Sequence, residues 1–589
     1  MRKHSKIILF VILASGMIIR LIFFLQFQNT PFYRHPNLDA LYYDELAQKV
    51  ASGSIIQNQA FFMGPLYPYV MGGLYALFGH APPAPRILQM LFGLGACVLI
   101  FILGKKIYNE KTGLIGAFFY AFYKPVLFYE QTLLSETSMA FFCLVFLYLV
   151  FLADERKKLI YYLLSGFSLG ICVLFRGNVL LFAPFALAWL IWGMKRATEQ
   201  FSTKSIAVFS MVFALGVAAG ILPATIHNLA AEKDFVLVTS NAGFNFYIGN
   251  HPGADGLFEI PDRVDMDNDP SGSRIAEKDA GKTLKSSEIS SYWMQRGVKF
   301  VKNNPWNFIK LLAVKFYHFW GRLEIPQIYS MRLMSNFMPV LKWPLIGFAL
   351  IGPLSLMGII MNIMERERRK LLFVLFVIVY CLSLLPFFMT ARYRIPVIPV
   401  LCIPAAAIVL SVVHSIQNRK WKRLIILAAG VVIIFALSGN AFLFEEERET
   451  SQFYNALGLI YMKENETEKA VESYRKAIIA YPTSYAYANL ANIYYQNNQP
   501  EQAVKFYSKA LAMEADNARI HFNIGQALLS LRRIEKAREH FEKAVAIDRR
   551  VHPNAWYNLG VIYKMKGMKQ KSENAMREFK SLRKSVNTE

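Results

Sequence analysis

Cysteine is scarce in this chain, with five in 589 residues. Cys97, Cys143, Cys172, Cys381 and Cys402 each stand alone inside an apolar run, none at metal-ligand spacing and none with a partner close in sequence. They read as small core residues, exclude a cysteine-based metal module and leave the redox compartment open. Acid is also short, with 41 Asp and Glu against 65 Lys and Arg, a formal net charge of +24. Such an excess can signal nucleic acid, but no basic block interleaved with aromatics occurs, and the Lys and Arg residues punctuate the gaps between apolar runs instead. What the chain has in abundance is apolar surface: 54% hydrophobic and 14% aromatic residues with a mean hydropathy of +0.29. These values are ordinary for a multi-spanning membrane protein and high for a soluble one.

Apolar runs long enough to cross roughly 30 Å of hydrocarbon occur near 7–27, 83–104, 112–129, 133–152, 159–175, 178–194, 204–226, 341–363, 370–389, 394–413 and 422–443. The sequence therefore predicts about eleven spans. The first has the charged flank of a signal peptide, yet its run continues past Arg20 to Phe27, which favours an uncleaved span. With the N-terminus inside, "GKKIYNEK", "ADERKK", "MKRATEQFSTK", "MERERRK" and "SIQNRKWKR" all fall on the cytoplasmic side, each rich in Lys or Arg as the positive-inside rule requires. The opposite side then carries loops at 28–82 and 227–340, short turns near 130, 176 and 390, and everything after 443.

The region 451–589 repeats. Leu457-Gly458, Leu490-Ala491, Ile524-Gly525 and Leu559-Gly560 recur at close to the tetratricopeptide period of roughly 34 residues, with Ala470, Tyr474 and Ala477, then Ala503, Tyr507 and Ala510, then Ala537, Phe541 and Ala544 at the packing positions. The fourth unit loses the later alanine, as suits a capping pair. The expected architecture is all-α: a polytopic membrane domain over 1–443, then an extracytoplasmic α-solenoid whose concave face implies a protein partner.

This topology gathers polar residues on the outer side. In the first outer loop, "NLDALYYDELAQKVASG" places Asp39, Asp44 and Glu45 around Tyr42 and Tyr43, with Asp39 suited to N-cap a surface-lying helix. "PLYPYVMGGLYALFG" follows, too interrupted for a span and better read as an interfacial or re-entrant segment. Glu130 lies in the next outer turn, and Glu136 enters the following span, where a carboxylate is costly and usually faces a cavity. Arg176 ends the fifth span. Arg392, Tyr393 and Arg394 precede the tenth, where Pro396 predicts an extended 392–395 with both arginines on one side. Arginine forks match phosphate oxygens, so these three suit a lipid phosphate, although any one of them could anchor topology. In the large loop, the Gly, Asn and Pro density of "VTSNAGFNFYIGNHPGADG" predicts turns, and Phe244, Asn245, Tyr247 and Asn250 would suit a sugar. "DMDNDPSG" resembles a calcium loop at Asp265, Asp267 and Asp269, but Pro270 replaces the required Gly and Ala276 the closing acid, which argues against one.

An outer Asp soon after the first span, "PLYPY", an outer Glu at the third-to-fourth turn, "GFNFYIGN" and "ARYRIPVIP" together resemble the GT-C membrane glycosyltransferases, specifically the protein mannosyltransferase and aminoarabinose transferase group, over about residues 5–440. Joined to repeats, the layout is similar to that of the transmembrane and tetratricopeptide O-mannosyltransferases. One departure is that the paired Asp-Glu of that loop is here "DA" at 39–40, with Asp44-Glu45 further on. The resemblance implies a sugar carried on a polyprenyl monophosphate and transferred with inversion outside the cytoplasm to a protein or glycan. It casts Asp39 as the base, with Asp44 or Glu136 as alternatives or as stabilisers of positive charge on the sugar. Arg176, Arg392 and Arg394 would hold the phosphate, and Tyr42, Tyr43, Asn245, Tyr247, Asn250 and Tyr393 would contact substrate. The resemblance names no certain cofactor and leaves a divalent metal open. The family points to a bacterial inner membrane. The alternatives are a non-catalytic scaffold presenting the repeats, or a lipid-linked oligosaccharide polymerase or ligase using a diphosphate donor.

Overall fold

The structure, a computed structural model, describes residues 3–196, 202–259, 261, 264, 269–439 and 445–586. Its regular elements are helical. The pairing Tyr123–Ile346 is an isolated parallel bridge. The chain divides into two compact units, Met1–Phe444 and Glu445–Glu589.

In the first unit each apolar run read from the sequence contains helix, and among the described residues seven helices are long and apolar enough to cross a membrane: His4–Gln28, Pro83–Ile107, Glu136–Arg156, Gly177–Arg196, Thr203–Glu232, Phe348–Glu365 and Ala391–Gln417. The chain is an integral membrane protein. The other four runs form shorter pieces, Glu110–Ala121 with Lys124–Tyr129, Leu159–Phe175, Arg368–Leu384 and Trp421–Leu437. At ~1.5 Å per residue such pieces fall short of a full hydrocarbon crossing unless the bilayer thins around them, so length alone supports seven spans where hydropathy suggests eleven. Between lipid-facing helices, small residues let backbones touch. A Cβ on Gly170 would stand 2.8 Å from the Cα of Gly220, which is how Leu159–Phe175 and Thr203–Glu232 pack so closely.

The first outer loop folds into Asp39–Ala51 and Leu66–Phe78, joined by Tyr43 against Tyr67 at 5.5 Å and by Tyr75, whose hydroxyl donates to Asp44 at 2.6 Å. Asp39 does not cap its helix. It is the first helical residue, and Leu38 holds the cap position in the left-handed region, with φ of 49°. The large loop also departs from expectation. Residues expected to turn form the helix Ala242–Ile248, because Phe244 and Ile248 bury on one face against Ser286–Asn303. Asp265 and Asp267 lie outside the described residues. Asp269 closes the first turn of Ser273–Ala280, accepting from the amides of Ser273 and Arg274, both at 2.9 Å.

The second unit is four antiparallel helix pairs: Glu446–Lys463 with Thr467–Ala480, Ser484–Gln496 with Pro500–Met513, Ala518–Ser530 with Ile534–Ile547, and Pro553–Met565 with Lys569–Val586. The repeat residues explain the packing. Ala470, Ala477, Ala503, Ala510, Ala537 and Ala544 are fully buried between partner helices. A Cβ on Gly525 would meet the Phe541 ring at 2.7 Å, so the small residue of each Leu-Gly pair makes room for the large one of the next helix. In the fourth pair, Ser572 and Met576 take the places of alanine and aromatic.

Candidate functional site

The polar residues meet in a cavity of about 390 Å³ in the first unit. Asp39, Tyr43, Glu136, Arg176, Asn245, Arg392 and Tyr393 all line it, together with Asn178, Thr239, Asn241 and Gln327, and an apolar wall of Leu180, Leu181, Leu237, Phe387 and Phe388. Residues 391–397 form a 3₁₀ turn leading into Ile398–Gln417, not the extended segment that Pro396 suggests. Pro is tolerated in a helix's lead-in turn because amides there have no intrahelical partner to lose.

That turn separates the two arginines. Arg392 enters the cavity, where Nη2 bonds Asp39 at 2.5 Å, Nη1 pairs with Glu136 at 3.1 Å and Nε donates to Gln327 at 2.9 Å. Arg394 turns to the far side, donating to Glu324 at 2.7 Å, Leu323 O at 2.9 Å and Gly321 O at 2.5 Å while lying over the Phe348 ring. It ties down residues 321–324 and does not line the cavity.

Arg176 has its guanidinium 3.8 Å from the centre of the Tyr393 ring and its Nη2 3.7 Å from Glu136. Both Nη1 of Arg176 and Oε2 of Glu136 are covered and lack a hydrogen-bond partner among the described residues. Glu136 is placed by the turn before it, in which the carbonyls of Glu130, Gln131 and Thr132 are held. Gln89 donates to Glu130 O and Thr132 O at 3.3 and 2.7 Å, and Arg86 donates to Gln131 O at 2.6 Å. Glu130 itself pairs with Arg20 at 2.8 Å, fully buried.

Other expected site residues serve elsewhere. Asp44 accepts from Tyr75 and Gln48 and sits 3.2 Å from His80, outside the cavity lining. Tyr42 packs edge-on against Tyr43, and burial pushes its phenol up to about 12. Tyr247 packs at a tilt against Trp293, with ring centres 5.0 Å apart. Asn250 donates to Phe246 O and Pro386 O at 2.7 and 2.6 Å and accepts from Lys315 at 3.2 Å. Lys315 also donates to Gly249 O at 2.8 Å, and burial pulls its ammonium down to about 7. Asn250 and Lys315 therefore brace the wall that carries Asn245 and Phe387. Sequence reasoning missed Gln327, Asn178 and Glu324, which lie in no local pattern. Among the described residues no three His, Cys, Asp or Glu side chains gather as a metal site.

Residues 63–223 match the family model described as dolichyl-phosphate-mannose-protein mannosyltransferase. The resemblance read from the sequence holds. At the level of the family, the match supports a membrane glycosyltransferase, and the matched stretch carries Glu136 and Arg176 while Asp39 and Arg392 lie outside it. Tetratricopeptide models match 451–483, 489–550 and 553–585. No protein of curated function matches the chain. Among solved structures, a crystal structure of MamA is 20% identical, covering 24% of this chain and 81% of that one with a TM-score of 0.22. The pilF protein of Pseudomonas aeruginosa is 17% identical over 30% and 75%, also at 0.22. YrrB, titled a TPR protein with an unusual peptide-binding site, is 16% identical over 30% and 84% at 0.21. Scores at this level carry no argument about the whole chain.

Proposed function

We propose that the protein transfers a sugar from a polyprenyl-monophosphate donor, with inversion, to a hydroxyl of a protein or glycan at the extracytoplasmic face of a bacterial inner membrane. The observation that carries this reading is the cavity in which Asp39 and Glu136 face Arg176 and Arg392 across a lining that is polar on one side and apolar on the other. A lipid-linked sugar phosphate has the same two-sided character. Leu180 and Leu237 line both this cavity and an apolar groove of about 470 Å³ beside Thr203–Glu232, a path for an isoprenoid tail.

In the proposed reaction the acceptor oxygen bonds to the anomeric carbon as the bond from that carbon to the phosphate oxygen breaks. The phosphate leaves with the electron pair, stabilised by arginine donors, and the acceptor proton passes to Asp39. The amides of Asn178, Asn241 and Asn245 suit sugar hydroxyls. The repeats would hold a protein acceptor or a partner. The short basic loops support an inside N-terminus and hence an outside cavity and repeat domain.

Sugar transfer from a panel of polyprenyl-phosphate sugars by purified full-length protein tests the reading, with native membranes supplying acceptors. Turnover that collapses in Asp39→Asn and in Arg392→Ala, with both variants folded, supports it. Donor left unconsumed by wild type would sink it and leave the scaffold reading standing.

A further inference from the structure

In this cavity the cation that the donor phosphate needs is already committed to protein partners. All three guanidinium nitrogens of Arg392 have partners, Asp39 on Nη2, Glu136 on Nη1 and Gln327 on Nε. Arg392 is almost fully buried, so bulk water does little to screen these pairs. The charges also cancel: two carboxylates face two guanidiniums, so an arriving phosphate meets no net attraction until a carboxylate yields its share. Arg176 differs. Its contact with Glu136 is a loose 3.7 Å, and its Nη1 has no partner among the described residues.

We infer that Asp39 and Glu136 compete with the donor phosphate for Arg392, so that their pairing masks the site and donor binding itself unmasks the base. This rests on the donor reading above. Phosphate engages Arg176 first, then takes over Arg392, and Asp39 loses the partner that held its carboxylate away from an acceptor hydroxyl. The order matters chemically: a base tied to Arg392 is blocked, so acceptor activation waits for the sugar to be in place. Gln327 keeps its bond to Nε throughout, which lets the guanidinium change partners at its fork without leaving the cavity.

The competition has a sign that a simple binding role does not. Affinity of the full-length protein in detergent for undecaprenyl monophosphate, with undecaprenol as the control for the tail, is the measurement. Asp39→Asn should bind the phosphate about tenfold more tightly than wild type, because it removes a rival anion, and Glu136→Gln should tighten binding too. Arg392→Ala should weaken it, and adding Asp39→Asn to Arg392→Ala should change nothing further, since nothing is left to contest. If Arg392→Ala weakens binding while both carboxylate variants bind as wild type or more weakly, the masking is wrong and the donor reading stands. If Arg392→Ala binds as wild type, or undecaprenol binds as well as its phosphate, the donor reading fails and the masking with it. Glu136→Gln keeps the test decisive should Asp39→Asn fail to fold.

Discussion

Two clusters in the membrane unit use the same residue types to opposite ends. Around Arg20 the pairing is closed on one partner: Nη2 donates to one oxygen of Glu130 at 3.0 Å, Nε faces the other as an ion pair at 2.8 Å, and Nη1 donates to Gly16 O at 3.0 Å, with no exposure on either side chain. Around Arg392 the pairing is open: one guanidinium is divided between carboxylates from two distant segments, and all three side chains line the cavity. A buried pair closed on a single partner fixes a backbone. A divided one in a cavity has something to exchange. The first holds the turn that delivers Glu136, and the second is where chemistry is proposed.

Breaking the closed pair should have the largest effect. Arg20→Ala leaves Glu130 buried and alone, which costs about 3–5 kcal/mol, and thermal unfolding in detergent should show a grossly destabilised or unrecoverable protein. Asp39→Asn in the open cluster should behave differently, losing about a hundredfold or more in transfer rate with an unfolding midpoint within a few degrees of wild type. An Asp39 variant as unstable as Arg20→Ala would erase the contrast.

Much of this contrast was readable in the sequence. Asp39, Glu136, Arg176 and Arg392 stood out because charges at the edges of apolar runs need a reason, and all four line the cavity. Arg394 was drawn in with them because an extended chain puts residues two apart on one side. A 3₁₀ turn, with about three residues per turn, sends them apart. Tyr247 and Asn250 had the composition of a sugar site, but their partners, Trp293 and Lys315, lie tens of residues away and pull them into bracing the loop. Gln327 and Glu324 meet the arginines from 65 and 70 residues away, beyond any local spacing rule. The repeats were legible throughout, since each packing position recurs within one helix pair.

Arg176→Lys sharpens the comparison at smaller scale. It keeps the charge but gives up the planar stack on Tyr393 and the fork for phosphate, so transfer should fall about tenfold without loss of fold. Initial rates at saturating and limiting donor would place the loss in donor binding. Smallest is a pH effect. With its ammonium lowered by burial from 10.5 to about 7, Lys315 binds a proton less readily folded than unfolded across that window. Stability therefore rises with pH from about 7 toward 10.5 and is lost as pH falls back through it. Lys315→Met should flatten that slope in unfolding curves taken across the range.

Leu38 carries one more consequence. Its left-handed backbone, unusual for a branched side chain, immediately precedes Asp39 and lines the same cavity. Glycine would adopt that conformation freely, so Leu38→Gly should relax the junction, yet it would also release a restraint that helps aim Asp39 at Arg392. At this position durability and precision pull against each other, and the chain has kept the residue that favours precision.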